Sequence, residues 1–99
     1  MQLIRMFKYV TDTYHFYLDK IEAENESGTV AERCWVLSRV NVKKIEGNKL
    51  ILSENDFHSP IFLPLRTSKL EIEERIKKLS GCRELKLLCY DPEKKEYID

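Results

Sequence analysis

The feature that most constrains the fold is a pair of alternating stretches, residues 40–53, joined through Glu46-Gly47-Asn48. Alternation of apolar and polar side chains with a period of two is typical of β-strands that bury one face. Glycine and asparagine accept the positive φ that a tight turn requires, so the tripeptide marks the bend of a β-hairpin. The sequence therefore predicts a partly β domain with a defined strand register.

Two registers compete in this central hairpin. A two-residue loop at Gly47-Asn48 would mix polar and apolar side chains on both faces of the strands. A three-residue loop, Glu46-Gly47-Asn48, would instead pair Val42 with Leu52 and Lys44 with Leu50. This register would collect the apolar side chains on one face. Because burial selects the register that separates the two faces, we predict the three-residue loop.

Residues 3–21 allow two interpretations. Apolar side chains recur at helical spacing, but the aromatic and β-branched content favours two strands joined by a turn at Thr11-Asp12. We predict the hairpin, because it gathers aromatic side chains into cross-strand pairs on one face. The predicted pairs are Tyr9 with Tyr14, Phe7 with Phe16 and Arg5 with Leu18.

Residues 29–39 are ambiguous in the same way. Thr29 and Glu32 have the spacing of a helix capping box. The segment from Cys34 to Val42 is rich in strand-forming residues and leads directly into the central hairpin. We predict a strand for this region.

The last third of the chain predicts an edge strand, a helix and a hairpin. Pro60 and Pro64 bracket a short apolar run, and proline cannot donate to a strand ladder, so this strand belongs at a sheet edge or a bulge. Residues 69–79 form the best helix, with Ser68 as N-cap and Gly81 as the C-terminal stop. Two further strands, 84–90 and 95–98, flank a proline-containing turn. We therefore expect an α+β fold, mainly an antiparallel sheet built from hairpins with one well-capped helix (about 69–79), in a single domain spanning residues 1–99.

Composition narrows the class of function. Of the 99 residues, 42% are hydrophobic, and 17 basic side chains balance 17 acidic ones. A nucleic-acid-binding protein usually carries a basic excess, which this total lacks. No apolar run is long enough for a membrane span or a signal peptide, and no phosphate-binding loop or HExxH motif is present. We expect a cytoplasmic protein with no cofactor and no membrane contact.

The three cysteines, Cys34, Cys82 and Cys89, fit no zinc-ligand spacing. We expect free thiols in a reducing compartment, packed as small core residues. A reactive thiolate needs a helix N-terminus or a nearby cation. Cys82 instead follows the C-terminus of the predicted helix, where the helix dipole disfavours the thiolate.

A divalent metal site could be built from His15, Asp19 and Glu22 only if the first segment were helical. At spacings of four and seven residues, the three side chains would share one face of a helix. In the predicted strand His15 and Asp19 still share a face, but Glu22 turns away. We therefore predict no metal site and no catalytic residue.

Aromatic and basic side chains of the first hairpin suggest another candidate surface. The face opposite the predicted core carries Met6, Lys8, His15 and Tyr17. Single-stranded nucleic acids bind such surfaces by stacking bases on aromatic rings beside cations. The nucleic-acid-binding residues of this hypothesis are Lys8, His15, Tyr17, Arg33, Arg39, Lys43 and Lys44.

The composition of the chain has a recognisable bias. It is rich in Lys, Glu and Ile, it contains the single glutamine Gln2, and it uses short turns such as Glu46-Gly47-Asn48. A high Lys and Glu content with few thermolabile amides is typical of hyperthermophile proteins, so we expect a thermostable protein. As a whole, the chain resembles the small orphan proteins of filamentous and rod-shaped viruses of hyperthermophilic archaea. The resemblance implies a virus-encoded protein that acts on a host or viral protein in the host cytoplasm.

Our first hypothesis is a non-enzymatic protein-interaction protein. The chain shows no activated catalytic group and no basic excess, and exposed strand edges with ten aromatic side chains favour a protein partner or a homodimer. The alternative is a nucleic-acid-binding protein that uses the aromatic and basic sheet face. A metal-dependent nuclease based on His15, Asp19 and Glu22 ranks third.

Overall fold

A computed structural model describes residues 2–24, 26–28, 30–42, 45–47, 49–50 and 58–99. Its strands are β1 (Gln2–Val10), β2 (Tyr14–Glu24), β3 (Val30–Asn41), β4 (Ile45–Glu46), β5 (Lys49–Leu50), β6 (Ile61–Pro64), β7 (Lys86–Asp91) and β8 (Glu96–Ile98), and its helix is α1 (Lys69–Ser80). Six strands form one antiparallel sheet in the order β6-β3-β2-β1-β7-β8, while β4 and β5 form a separate two-stranded sheet. The predicted α+β class, mainly antiparallel sheet, is confirmed.

The first two strands form the predicted hairpin but in a different register. Tyr9 pairs with Phe16 instead of Tyr14. The hydroxyl and the amide of Thr11 both donate to the Tyr14 carbonyl, at 2.8 and 3.0 Å, which moves the turn to Asp12-Thr13. Because side chains alternate with a period of two, this two-residue shift changes the partners and leaves Phe7, Tyr9 and Phe16 on their predicted face.

A β-bulge at Met6 breaks the alternation of β1. Arg5 pairs with Asp19, and the next paired residue of β1 is Phe7, so Met6 has no partner on β2. The bulge reverses the facing of the residues that precede it. Arg5 therefore shares a face with Lys8, and its predicted placement on the Phe7 face is wrong.

The third strand confirms the strand interpretation for residues 30–39 of the segment 29–39. β3 pairs with β2 along its whole length, so the two strands form a long hairpin at the centre of the sheet. On its other side β3 pairs with β6, where Trp35 lies opposite Leu63. Among the described strands β6 has no further neighbour, which confirms the edge position predicted from Pro60 and Pro64.

The central hairpin takes the register that we did not predict. Ile45 pairs with Leu50 and Glu46 with Lys49, so the register is that of a two-residue loop, and Gly47 has a φ of 58°. We predicted the three-residue loop because we expected the hairpin to bury one of its faces as part of the main sheet. β4 and β5 instead form a sheet of their own, where that selection does not act. The expected pairing of Val42 with Leu52 lies outside the described residues.

The helix α1 covers one face of the six-stranded sheet. Ser68 Oγ accepts a hydrogen bond from the Glu71 amide at 3.1 Å, and Gly81 follows the helix with a φ of 70°. Ile72 and Ile76 point into the sheet and are 3% and 0% exposed. We call this side of the sheet the core face. Its buried cluster consists of Tyr9, Phe16, Leu18, Leu37, Leu63, Ile72 and Ile76.

The cysteines are less buried than the sequence predicted. Cys34 and Cys82 are half-buried, and Cys89, on β7 next to the edge strand β8, is exposed. The dipole argument for Cys82 left out the polar groups beside its thiol. Hydrogen bonds, first that with the Thr13 hydroxyl, lower the pKa of its thiol. The thiols are free, as expected.

Candidate functional site

The face of the six-stranded sheet opposite α1 carries a cluster of aromatic and charged side chains. Strand pairing places Lys8 of β1 between Tyr17 of β2 and Leu88 of β7, and all three point away from the core cluster. We call this side the open face. The cluster on it consists of Arg5, Lys8, Tyr17, Asp19, Tyr90 and Tyr97.

Three tyrosine rings form the aromatic part of the cluster. The ring centroids of Tyr17 and Tyr97 are 5.7 Å apart, and those of Tyr97 and Tyr90 are 5.1 Å apart, in edge-to-face arrangements. The rings come from β2, β7 and β8, so the pairing of β7 with β1 is what brings them near one another. All three side chains are half-buried, which leaves part of each ring accessible.

Two cations lie against these rings. Lys8 Nζ is 5.4 Å from the centroid of Tyr17 and 5.9 Å from that of Tyr97. Arg5 Cζ is 5.9 Å from the centroid of Tyr90. Cation–π contacts of this kind contribute about 0.5–1 kcal/mol at exposed sites. Burial lowers the pKa of the Lys8 ammonium from its ordinary value.

Asp19 places a carboxylate under this cluster. The residue is 9% exposed, and within the described residues its buried Oδ1 has no hydrogen-bond partner. Burial raises the pKa of its carboxyl, while the Met6 amide and the charge of Arg5 act in the opposite direction. Burial, with the Asp19 charge as the next cause, raises the pKa of Tyr97 to about 12. Both tyrosine and aspartate are thus held towards their protonated forms by the same desolvated environment.

His15 lies at the end of the open face next to the first turn. It pairs with Val10 on one side and Val40 on the other. Burial, followed by the charge of Lys8, lowers the pKa of its imidazole, so the ring is neutral at physiological pH. We therefore do not count His15 among the cations of this face.

The remaining residues of the predicted nucleic-acid surface are elsewhere. Arg33 and Arg39 pair with Glu22 and Phe16, and thus point to the core face. Arg33 Nε is 3.4 Å from the Glu22 carboxylate, and Arg39 Cζ is 5.0 Å from the centroid of Tyr14. Strand alternation separates these two arginines from Lys8 and Tyr17. Lys43 and Lys44 lie outside the described residues.

The possible metal-ligand set does not converge. His15 and Asp19 share the open face, as expected for a strand, while Glu22 points to the opposite side and pairs with Lys20 at 3.7 Å. In the part of the chain that the structure describes, no group of three or more His, Cys, Asp or Glu side chains could hold a metal ion. The hairpin fold therefore removes the geometric basis of the nuclease hypothesis.

Three members of the cluster were missed by sequence reasoning. Arg5 belongs to the cluster because the bulge at Met6 turns its side chain to the open face, and the residue pattern does not predict that bulge. Tyr90 and Tyr97 join it because β7 pairs with β1 across a long sequence separation. The sequence predicted the two strands that carry these tyrosines but carried no signal for their position beside Tyr17.

Known proteins give no guide to the role of this face. No family model, no curated protein and no solved structure matches the chain. The viral resemblance and the expected thermostability therefore stay predictions. Among the described residues, no helix combines the length and apolarity that crossing a membrane requires.

Proposed function

We propose that this protein binds an extended single-stranded nucleic acid on the open face. Bases would stack on the rings of Tyr17, Tyr90 and Tyr97, and phosphates would contact Arg5 and Lys8. The observation that carries the proposal is the cluster of three tyrosines and two cations on the sheet face that α1 does not cover. Sheets with exposed aromatic and basic side chains are a common platform for unstacked bases.

Stacking of a base on a tyrosine ring is energetically more favourable than the cation–π contact that the ring now makes within the protein. Stacking of a base on an aromatic side chain contributes about 1–3 kcal/mol. The cation–π contacts that now occupy the ring faces contribute only about 0.5–1 kcal/mol each. A base can therefore displace Lys8 or Arg5 from a ring, and the released cation becomes available to a phosphate.

The charge of the cluster also sets the expected strength of binding. Two cations and one carboxylate, Asp19, give a modest positive surface. Each phosphate neutralised on a single strand contributes roughly −0.7 to the slope of log K against log salt, so two cations predict a slope of about −1.4. Binding should thus be weak, driven by stacking, and only moderately sensitive to salt.

The experiment is a fluorescence anisotropy titration with a labelled single-stranded oligonucleotide of mixed sequence. We expect Lys8→Ala to weaken binding several-fold and to reduce the salt slope by roughly 0.7. Arg33→Ala is the matched control, because it also removes one cation but from the core face. Absence of binding at low salt, or an equal loss with both variants, would count against the proposal.

The rings need a separate test, because a lysine contact alone does not distinguish stacking from charge attraction. We expect Tyr97→Leu, which keeps an apolar side chain but removes the aromatic face, to weaken binding about ten-fold. Tyr14 is the matched control, because its ring lies on the core face against Phe16 at 5.8 Å. The Tyr14→Leu variant should bind the oligonucleotide as the unchanged protein does.

The first hypothesis from the sequence, a protein partner, would use a different surface. The largest exposed apolar side chain of α1, Leu70, lies beside β6 rather than on the open face, and it is 69% exposed. Phe62 on the edge strand β6 is 61% exposed, but it lies opposite Val36 and therefore points to the open face. A homodimer through this edge also stays a prediction.

A further inference from the structure

A groove runs between the edge strand β6 and the helix α1, on the opposite side of the sheet from the tyrosine cluster. Its volume is about 980 Å³. Leu63 on β6 forms its floor and is 7% exposed, while Leu70 in the first turn of α1 forms one wall. The groove therefore has a buried apolar residue, Leu63, at its base and an exposed apolar residue, Leu70, at its side, and no other described residue covers Leu70.

Three cations line the groove: Arg66, Arg75 and Lys78. Within the described residues none of them forms an ion pair, although α1 also carries Lys77, which lies 3.9 Å from Glu74, and Lys69, which lies 3.9 Å from Glu73. The acidic side chains of the lining are Glu71 and Glu74, of which Glu74 is neutralised by Lys77 outside the groove. The uncompensated charge of the groove is thus positive.

We propose that this groove binds an extended acidic segment of a partner protein that carries an apolar side chain. Carboxylates of the segment pair with Arg66, Arg75 and Lys78, and its apolar side chain packs against Leu70. A peptide fits better than a nucleic acid because the lining contains no aromatic ring on which a base could stack. This site is independent of the open face and adds a second ligand class to the protein.

In the proposed complex the affinity comes from side-chain contacts in the groove, not from backbone hydrogen bonds to β6. An extended peptide could also add a strand to β6, which is a sheet edge. Pro60 and Pro64 lack an N–H group, and the Pro64 carbonyl already accepts a hydrogen bond from the Thr67 amide at 2.9 Å. The edge of β6 therefore offers few free groups for pairing, and the occupant lies against the helix.

The test uses a fluorescein-labelled peptide of alternating Glu and Leu residues, titrated with the full chain. Arg75→Glu should weaken binding at least ten-fold, and Leu70→Ala should weaken it about ten-fold, since it removes most of the apolar surface that the leucine buries against the peptide. Lys69→Glu is the matched control: it reverses a charge on the same helix outside the groove lining and should change binding less than two-fold. A peptide with Lys in place of Glu should not bind.

Several outcomes would overturn this proposal. Equal losses with Arg75→Glu and Lys69→Glu would show non-specific charge attraction. Loss of oligonucleotide binding in the Arg75→Glu variant, equal to that in Lys8→Ala, would assign the groove to nucleic acid. A dimer in gel filtration that Leu70→Ala converts to monomer, with no peptide binding, would show that a second copy fills the groove. Thermal unfolding of each variant verifies that the exposed substitutions leave the fold intact.

Discussion

The two faces of the six-stranded sheet use the same residue type for opposite purposes. Tyr9 lies on the core face, is 2% exposed, and donates a hydrogen bond to Glu73 Oε2 on α1 at 2.9 Å. Tyr17 lies on the open face, remains half-buried, and contacts the ring of Tyr97 and the ammonium of Lys8. The position of α1, and not the identity of the side chain, decides which tyrosine becomes part of the core and which remains available to a ligand.

The largest expected difference between the faces is in packing energy. Phe16 is 0% exposed on the core face, and Phe16→Ala should reduce the free energy of unfolding by about 3–5 kcal/mol. The replacement of its half-buried neighbour Tyr17, on the open face, by alanine should cost less, about 2 kcal/mol, because it loses one aromatic pair and part of the burial of a large side chain. Urea unfolding of both variants measures the difference. Equal losses would mean that the open face is as tightly packed as the core.

A second test concerns the buried carboxylate of the open face. Folding raises the pKa of Asp19, so the folded chain keeps this proton to higher pH than the unfolded chain. The unfolded state then binds fewer protons, and this group lowers stability as the pH rises above the ordinary range for aspartate. Asp19→Asn should remove that loss. We expect the stability of the variant relative to the unchanged protein to rise between acidic and neutral pH, as urea unfolding at several pH values would measure.

The control for this pH experiment is Asp12→Asn, which changes an exposed turn residue. Its stability relative to the unchanged protein should vary less with pH than that of Asp19→Asn. If the Asp19→Asn variant instead lost stability relative to the unchanged protein as the pH rose, the carboxylate would be stabilised by partners on the open face, and its pKa would be lowered rather than raised.

The smallest effect comes from the tyrosine hydroxyls. Tyr9→Phe removes the hydrogen bond to the partly exposed Glu73 carboxylate and should cost about 1 kcal/mol. Within the described residues the Tyr17 hydroxyl has no partner, so Tyr17→Phe should leave the unfolding free energy nearly unchanged. A cost for Tyr17→Phe as large as that for Tyr9→Phe would reveal a hydrogen bond on the open face.

Local patterns predicted the elements well. The helix limits came from Ser68 and Gly81, and the edge position of β6 came from two prolines, because these residues act on the backbone within a turn of their own positions. The assignment of Tyr9 and Tyr17 to opposite faces survived an error of two residues in the β1–β2 register. Strand alternation has a period of two, so an even shift leaves every face unchanged.

The errors arose where the outcome depended on distant parts of the chain. The central hairpin took the two-residue loop because β4 and β5 form a separate sheet, which no local pattern indicates. The candidate site was only partly predictable for the same reason. Lys8 and Tyr17 were identified from the first hairpin, whereas Arg33 and Arg39 point to the core face.

By itself, the sequence determined the strands, the helix and the separation of the first hairpin into an aromatic core side and a more polar side. These properties follow from residue spacing, proline and glycine, and they need no knowledge of distant contacts. Only the tertiary structure decided that Arg5, Tyr90 and Tyr97 gather around Lys8 and Tyr17. A bulge at one residue and the pairing of β1 with β7 produce that cluster, and both are selected by the packing of the whole sheet rather than by local preference.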